Sequence, residues 1–352
     1  MSLLTASNPS YKPTMHKERD IALDGVRGMA ALCVVFSHVA SMTWTPFYDR
    51  REPGLFEWGL WHLGAPAVDM FFLLSGYVVT RSLLRRPGTY GNYLLSRGVR
   101  LYPIAWMAVI AGALLRFANL PLIPGTSLIL ANIKSGVDAL DIIGLMTFIA
   151  PLPPVNNINA PLWTLFVEMQ AALAMPLLAF CARRNPRWLL PLGILGTIMV
   201  GGALGRTYPF YFAGFILGAA LAGGEDQVVK APKPLLVMIF FLPVLLLRHI
   251  MSSDDAALRV ICAIGALGVL LSIRQGAANG MLTSRPSQFL GRISYPLYAV
   301  HWPVMVAFTL TGGAAYGITL SAFASMPVSI LVAWMLSRMV DEPATRLARI
   351  LR

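Results

Sequence analysis

Stretches of about twenty mostly apolar residues follow one another along almost the whole chain, each long enough to cross the ~30 Å hydrocarbon core of a bilayer as a helix. In lipid the backbone must satisfy its own polar groups, so a run of this length and composition selects a helix. Candidate spans lie near residues 26–44, 64–81, 101–118, 161–181, 188–204, 208–223, 234–250, 256–273, 293–310 and 315–337. Charged residues make up 12% of the chain, against about 25% in an ordinary soluble domain. With 57% apolar residues and a mean hydropathy of +0.66, the expectation is an all-α, polytopic membrane protein, a bundle of about ten transmembrane helices. No separate soluble domain is expected within its 352 residues. The expected organisation is a polar tail at 1–20, a single transmembrane domain at 21–340 and a basic tail at 341–352.

The net charge of +12 invites a nucleic-acid reading, but its distribution argues otherwise. If the N-terminus is cytoplasmic, the inner segments carry 20 Lys and Arg and the outer ones 7, with Arg27 inside the first span. That is the positive-inside bias of a membrane protein with both termini cytoplasmic. No nucleic acid is expected as a partner; the bilayer is. The first 20 residues lack the short apolar stretch and small-residue cleavage site of a secretory signal, so the first span is expected to be retained. Cys33, Cys181 and Cys262 show no metal-ligand spacing and read as buried free thiols; no metal is expected. The longest outer segment, 119–160, contains "DALDIIGLMTFIA" (138–150), too short to span easily and therefore expected to be re-entrant or interfacial. The Pro- and Asn-rich "PLPPVNNINAP" (151–161) follows as an outer loop.

Against this apolar background the polar residues stand out. A charge at the centre of a spanning helix costs roughly 2.5–3.5 kcal/mol on insertion scales and usually faces the bundle interior or a wet cavity. In "LDGVRGMAALCVVFSH" (23–38), Arg27 and His38 fall about 20° apart around a helix and about 16 Å apart along it. Asp24 lies one turn before Arg27, so acid, base and imidazole share one stripe; the bland alternative is an interfacial Asp–Arg pair and a hydrogen-bonded histidine. The second span, "VDMFFLLSGYVVT" (68–80), carries Asp69 near its outer end, at a level where it can orient His38 or simply meet water. Gly76 shares the Asp69 face and permits close helix approach. In "LSRGVRLYP" (95–103), Arg97 and Arg100 share a face at the inner start of the third span. Paired guanidiniums suit phosphate oxygens, although positive-inside charge also explains them. Glu168 lies two turns into "APLWTLFVEM" (160–169) and needs a partner, with Arg27 and His38 as candidates. Near the C-terminus, "GRISYPLYAVHWPV" (291–304) aligns Ser294, Tyr298 and His301 as a polar seam.

Taken in order, "LDGVRGMAALCVVFSH", "VDMFFLLSGY", "RGVRLYP", "PLWTLFVEM" and "GRISYPLYAVHWPV" resemble the acyltransferase 3 family of integral membrane O-acyltransferases, across nearly the whole chain. The Arg–His spacing of the first segment and the Ser75–Gly76 step after paired aromatics fit its pattern; Thr164 and Met169 depart from it, standing where serine and a second acid are common. Some relatives carry an extra outer esterase-like domain, which is not expected here.

The resemblance implies transfer of an acyl group, acetyl by default, from a coenzyme A thioester in the cytoplasm to a hydroxyl of a cell-envelope or exported glycan. It places such a chain in the bacterial inner membrane. Acetyl-CoA would be a co-substrate, with no tightly bound cofactor. The implied catalytic set is His38 as general base with Arg27, Asp24, Asp69 and Glu168. Arg97, Arg100, Ser75 and Tyr102 would bind the acyl donor, and Trp163, Tyr298 and His301 would support the site. Direct transfer and a covalent acyl-enzyme route both stay open. Two other classes compete: a transporter or flippase of a lipid-linked sugar, since intramembrane charges also mark transport paths, and a scaffold of envelope synthesis. No repeated halves with matching broken helices favour the transporter.

Overall fold

The computed structural model describes residues 14–44, 52–86, 88–118, 120–126, 139–148, 158–204, 211–224, 233–250 and 256–351. The tail before Thr14, most of segment 119–160 and the loop at 151–157 lie outside the described residues. Among those described, the secondary structure is helical, with no strand. The helices are α1 (Thr14–Thr43), α2 (Leu55–Trp61), α3 (Gly64–Arg85), α4 (Tyr90–Phe117), α5 (Ala139–Thr147), α6 (Trp163–Arg184), α7 (Pro186–Leu204) and α8 (Phe212–Gly223). They continue as α9 (Pro234–Ile250), α10 (Ala256–Arg274), α11 (Asn279–Leu282), α12 (Arg285–Tyr316), α13 (Ile318–Leu336) and α14 (Glu342–Ile350). A five-residue π turn, Ser337–Asp341, joins the last two.

Where their residues are described, the expected spans are largely helical, with 208–210 outside the described residues, and α5 lies within the short apolar segment at 138–150. Six described stretches are long and apolar enough to cross a membrane: Ile21–Thr43, Leu55–Arg85, Tyr90–Phe117, Ala160–Arg184, Arg285–Tyr316 and Ile318–Ile350. The protein is thus an all-α, multi-pass membrane protein. Of the span expected at 208–223, residues 208–210 lie outside the described residues. Helix α8 has 12 residues, about 18 Å of rise, and every residue from Ala213 to Ala222 is buried. A helix apolar on all sides and buried along its length is packed within protein.

The chain forms two compact units. One comprises Met1–Ala30, Ala65–Leu94 and Gln170–Gly291; the other comprises Ala31–Gly64, Leu95–Met169 and Arg292–Arg352. The first unit is built around an apolar cluster that includes Val26, Leu73, Tyr77, Leu217, Ala266 and Leu270. Its helices pack backbone to backbone where glycine removes the side chain. A Cβ at Gly76 would stand 2.3 Å from the Phe215 carbonyl oxygen, and one at Gly218 would stand 2.2 Å from that of Leu73. Hence α3 and α8 meet at van der Waals distance along a seam that the sequence marks with small residues. The start of α1 meets the start of α12 in the same way: a Cβ at Gly28 would fall 2.4 Å from the Gly291 nitrogen. Two buried guanidiniums of this unit, Arg81 and Arg274, approach the Tyr77 ring with centroid distances of 5.8 and 4.9 Å, where the negative face of the ring attracts them.

The second unit is centred on α12, whose Leu297, His301, Trp302 and Met305 are fully buried. Here α5 is held by its C-terminal carbonyls, which have no acceptor role left inside so short a helix. Tyr102 Oη donates to Thr147 O (2.5 Å) and Trp106 Nε1 donates to Met146 O (2.8 Å).

The glycine seam gives a direct test. Gly76→Val forces a branched side chain into a carbonyl oxygen that cannot retreat, and overpacking of this kind costs typically ~1–3 kcal/mol. The variant should show a clearly lowered unfolding temperature in detergent. Gly91→Ala, where nothing lies within 4 Å, should leave that temperature unchanged.

Candidate functional site

Helix α1 carries His38 eleven residues after Arg27, and its partner comes from α12. His38 Nδ1 lies 2.8 Å from His301 Nε2. The two rings are 27° from coplanar with centroids 5.0 Å apart, and the Trp302 indole meets the His38 ring edge-on at 5.1 Å. His301 and Trp302 are completely buried, while His38 is half-buried. The other nitrogen of His301, Nδ1, lies 2.9 Å from the Leu297 carbonyl oxygen, one turn back on the same helix. Among the described residues His38 Nε2 has no hydrogen-bond partner. The geometry is therefore a histidine pair anchored to a helix backbone at one end and open at the other.

The second polar group of this unit is an ion pair. Arg97 Nη2 lies 2.5 Å from Glu168 Oε1, with the arginine side chain 9% and the glutamate 24% exposed. Arg97 is a partner of Glu168 that the sequence reading, with Arg27 and His38 as its candidates, did not name. At Nδ1, His38 meets His301. Helix periodicity fixes which residues share a face, but pairs across helices such as these depend on packing that one sequence does not reveal.

Proline creates a third polar contact. Pro303 has no N–H, so the Ala299 carbonyl one turn earlier loses its intrahelical donor. Asn159, fully buried just before the 3₁₀ turn Ala160–Leu162, supplies it: Nδ2 donates to Ala299 O at 3.0 Å. Beside it, Tyr298 Oη accepts from Thr164 Oγ1 (2.8 Å) and donates to Pro161 O (3.2 Å). Thr164 therefore does the hydrogen bonding that a serine at this place would do. Tyr295 Oη donates to Leu101 O on α4. Side chains of α12 thus hold α4 and the entry to α6 at fixed heights around His301.

The remaining sequence candidates are distributed as follows. Ser294, Tyr298 and His301 are all buried, as a polar seam requires. Tyr102 is half-buried and its hydroxyl is engaged by Thr147. Arg100 and Trp163 are half-buried in the same unit. Asp24, Arg27, Asp69 and Ser75 belong to the other unit. Asp24 and Arg27 form the expected i,i+3 pair at 3.7 Å, with side chains 54% and 29% exposed, and Asp69 is buried. Asn159 and Trp302 were not singled out in the sequence. Pro303 was the available signal for Asn159, because a proline inside a buried helix announces a carbonyl that needs an outside donor.

Asn159→Ala leaves the Ala299 carbonyl buried without its donor, at a cost of about 1–3 kcal/mol. Adding Pro303→Ala restores an N–H at that carbonyl. The double variant should therefore unfold at a higher temperature than Asn159→Ala alone, and simple addition of two losses would contradict the assignment.

Comparison with known proteins brings three findings. The family model described as an acyltransferase domain matches residues 20–338. An acyltransferase of Streptomyces mycarofaciens, MdmB, is 27% identical over 182 residues, which cover 51% of this chain and 44% of that protein. Protein 2 in the picA locus of Rhizobium radiobacter is 35% identical over 96 residues, covering 26% of this chain and 43% of that protein. The chain spans less than half the length of either relative. No solved structure matches.

Proposed function

The chain belongs to the acyltransferase 3 family, and from that premise we propose that it is a membrane-bound O-acyltransferase with His38 at its chemical centre. The donor is an acyl-coenzyme A, acetyl-CoA in the first instance, and the acceptor is a hydroxyl of a cell-envelope or exported glycan. The protein works in the bacterial cytoplasmic membrane with both termini inside, a reading supported by the 20-to-7 distribution of Lys and Arg.

The observation that carries this reading is the histidine pair: an imidazole in an apolar helix, half-buried, one nitrogen engaged and the other without a partner among the described residues. Such a group can take a proton at Nε2. As the acceptor hydroxyl attacks the thioester carbonyl carbon, its proton passes to His38 Nε2. The carbon–sulfur bond then breaks, and the departing thiolate recovers that proton from the imidazolium. Arg100, with Arg97 steadied by Glu168, meets the donor phosphates at the inner end of α4. The family resemblance keeps Arg27, Asp24 and Asp69 with His38 in the catalytic set, Ser75 and Tyr102 in donor binding, and Trp163 in support of the site.

His38→Ala should abolish release of free coenzyme A from acetyl-CoA in the presence of purified envelope glycan, with membrane levels unchanged. Wild-type turnover in that variant refutes the assignment of the base. Arg100→Ala should raise KM for acetyl-CoA about tenfold or more while kcat changes little, the pattern expected for lost donor binding. An unchanged KM with a reduced kcat would move Arg100 from donor binding to the chemical step.

A further inference from the structure

The pair of hydrogen bonds on His301 determines more than its own position. The Leu297 carbonyl can only accept, so the hydrogen in the 2.9 Å contact belongs to His301 Nδ1. A neutral imidazole carries one N–H, which makes His301 Nε2 an acceptor. The 2.8 Å contact to His38 must then be donated by His38 Nδ1. A neutral His38 with its hydrogen on Nδ1 has its lone pair on Nε2, the nitrogen with no hydrogen-bond partner among the described residues.

We propose that His301 is a positioning residue that holds His38 in the Nδ1–H tautomer, so that Nε2 is the proton-accepting atom, and that the Leu297 carbonyl sets the polarity of the pair. The proposal rests on the acyl-transfer reading for its consequence and on the hydrogen-bond geometry for its content. It assigns to a neutral histidine the place that a carboxylate takes in a Ser–His–Asp triad. The substitution suits the surroundings: His301 is fully buried, and an isolated carboxylate there would need a partner of its own. Burial of Trp302 against the edge of His38 limits rotation of the ring, so the tautomer and the orientation are fixed together. When His38 takes the acceptor proton, its Nδ1–H remains donated to His301 Nε2, and the positive ring keeps a hydrogen-bond partner throughout the step.

Two substitutions at 301 separate the two bonds. Asn places an amide N–H near the Nδ1 position and keeps the Leu297 bond, but leaves nothing at the Nε2 position. Gln reaches the Nε2 position with a carbonyl that accepts from His38, and gives up the bond to Leu297. The test is coenzyme A release from acetyl-CoA with the host's purified envelope glycan as acceptor, on full-length protein at matched membrane levels. His301→Asn should lose at least tenfold in kcat, toward the ~10²–10⁴ that general base catalysis contributes, while His301→Gln retains most of it. Wild-type turnover in His301→Asn, or equal loss in both variants, overturns the proposal.

A second measurement needs no variant to be active. In protein labelled with ¹⁵N in its five histidines, with resonances assigned by subtraction of the His38→Ala and His301→Ala spectra, both His38 and His301 should carry hydrogen on Nδ1. Hydrogen on Nε2 of His38 in the neutral protein overturns the proposal even if His38→Ala is inactive. Conversely, an active His38→Ala with the expected tautomers removes the acyl-transfer role of His38 and leaves the structural pairing standing.

Discussion

A polar group carried into an apolar helix has to find its partner inside the protein, because no water is at hand to supply one. The unit that contains His38 follows from this requirement. Pro303 removes a donor from α12, and Asn159 replaces it at Ala299. Tyr298 is held by Thr164 and by the Pro161 carbonyl. Arg97 is buried because Glu168 neutralises it. His301 is buried because one nitrogen donates to its own helix and the other accepts from His38. The contacts that cross between segments also fix their heights, so satisfaction of buried polar groups and positioning of the candidate base are one set of interactions.

The other unit meets a different demand. Lipid gives no hydrophobic drive for helices to associate, so close packing has to supply the attraction. Gly76 and Gly218 let α3 and α8 touch backbone to backbone, and Gly28 and Gly291 do the same for α1 and α12. The opening stretch "LDGVRGMAALCVVFSH" serves both demands on one helix. Its glycines pack the first unit, and its histidine reaches the polar contacts of the second.

Much of the helical layout was legible in the sequence because hydropathy reports burial in lipid or protein directly. The ends were less so. The run at 293–310 extends to Arg285–Tyr316, and the run beginning at 26 extends back to Thr14, because charged turns can be helical without being apolar. Hydropathy does not distinguish α8 from its neighbours, although Ala213 to Ala222 are all buried in protein. In the candidate site the residues were legible and their partners were not. His38, His301, Arg97 and Glu168 each stood out as polar in apolar surroundings. The pairings His38–His301 and Arg97–Glu168 span 263 and 71 residues and are created by packing alone.

If His38 is the base of an acyl transfer to an envelope glycan, its loss must remove the ester product. This is tested most directly in a host lacking its own copy of the gene, expressing either the wild type or His38→Ala at equal membrane levels. The quantity to measure is alkali-labile acetyl ester on the purified envelope glycans. Esters are expected with the wild type and none above background with the variant. Equal ester content in the two strains would contradict that role and leave His38 a structural residue.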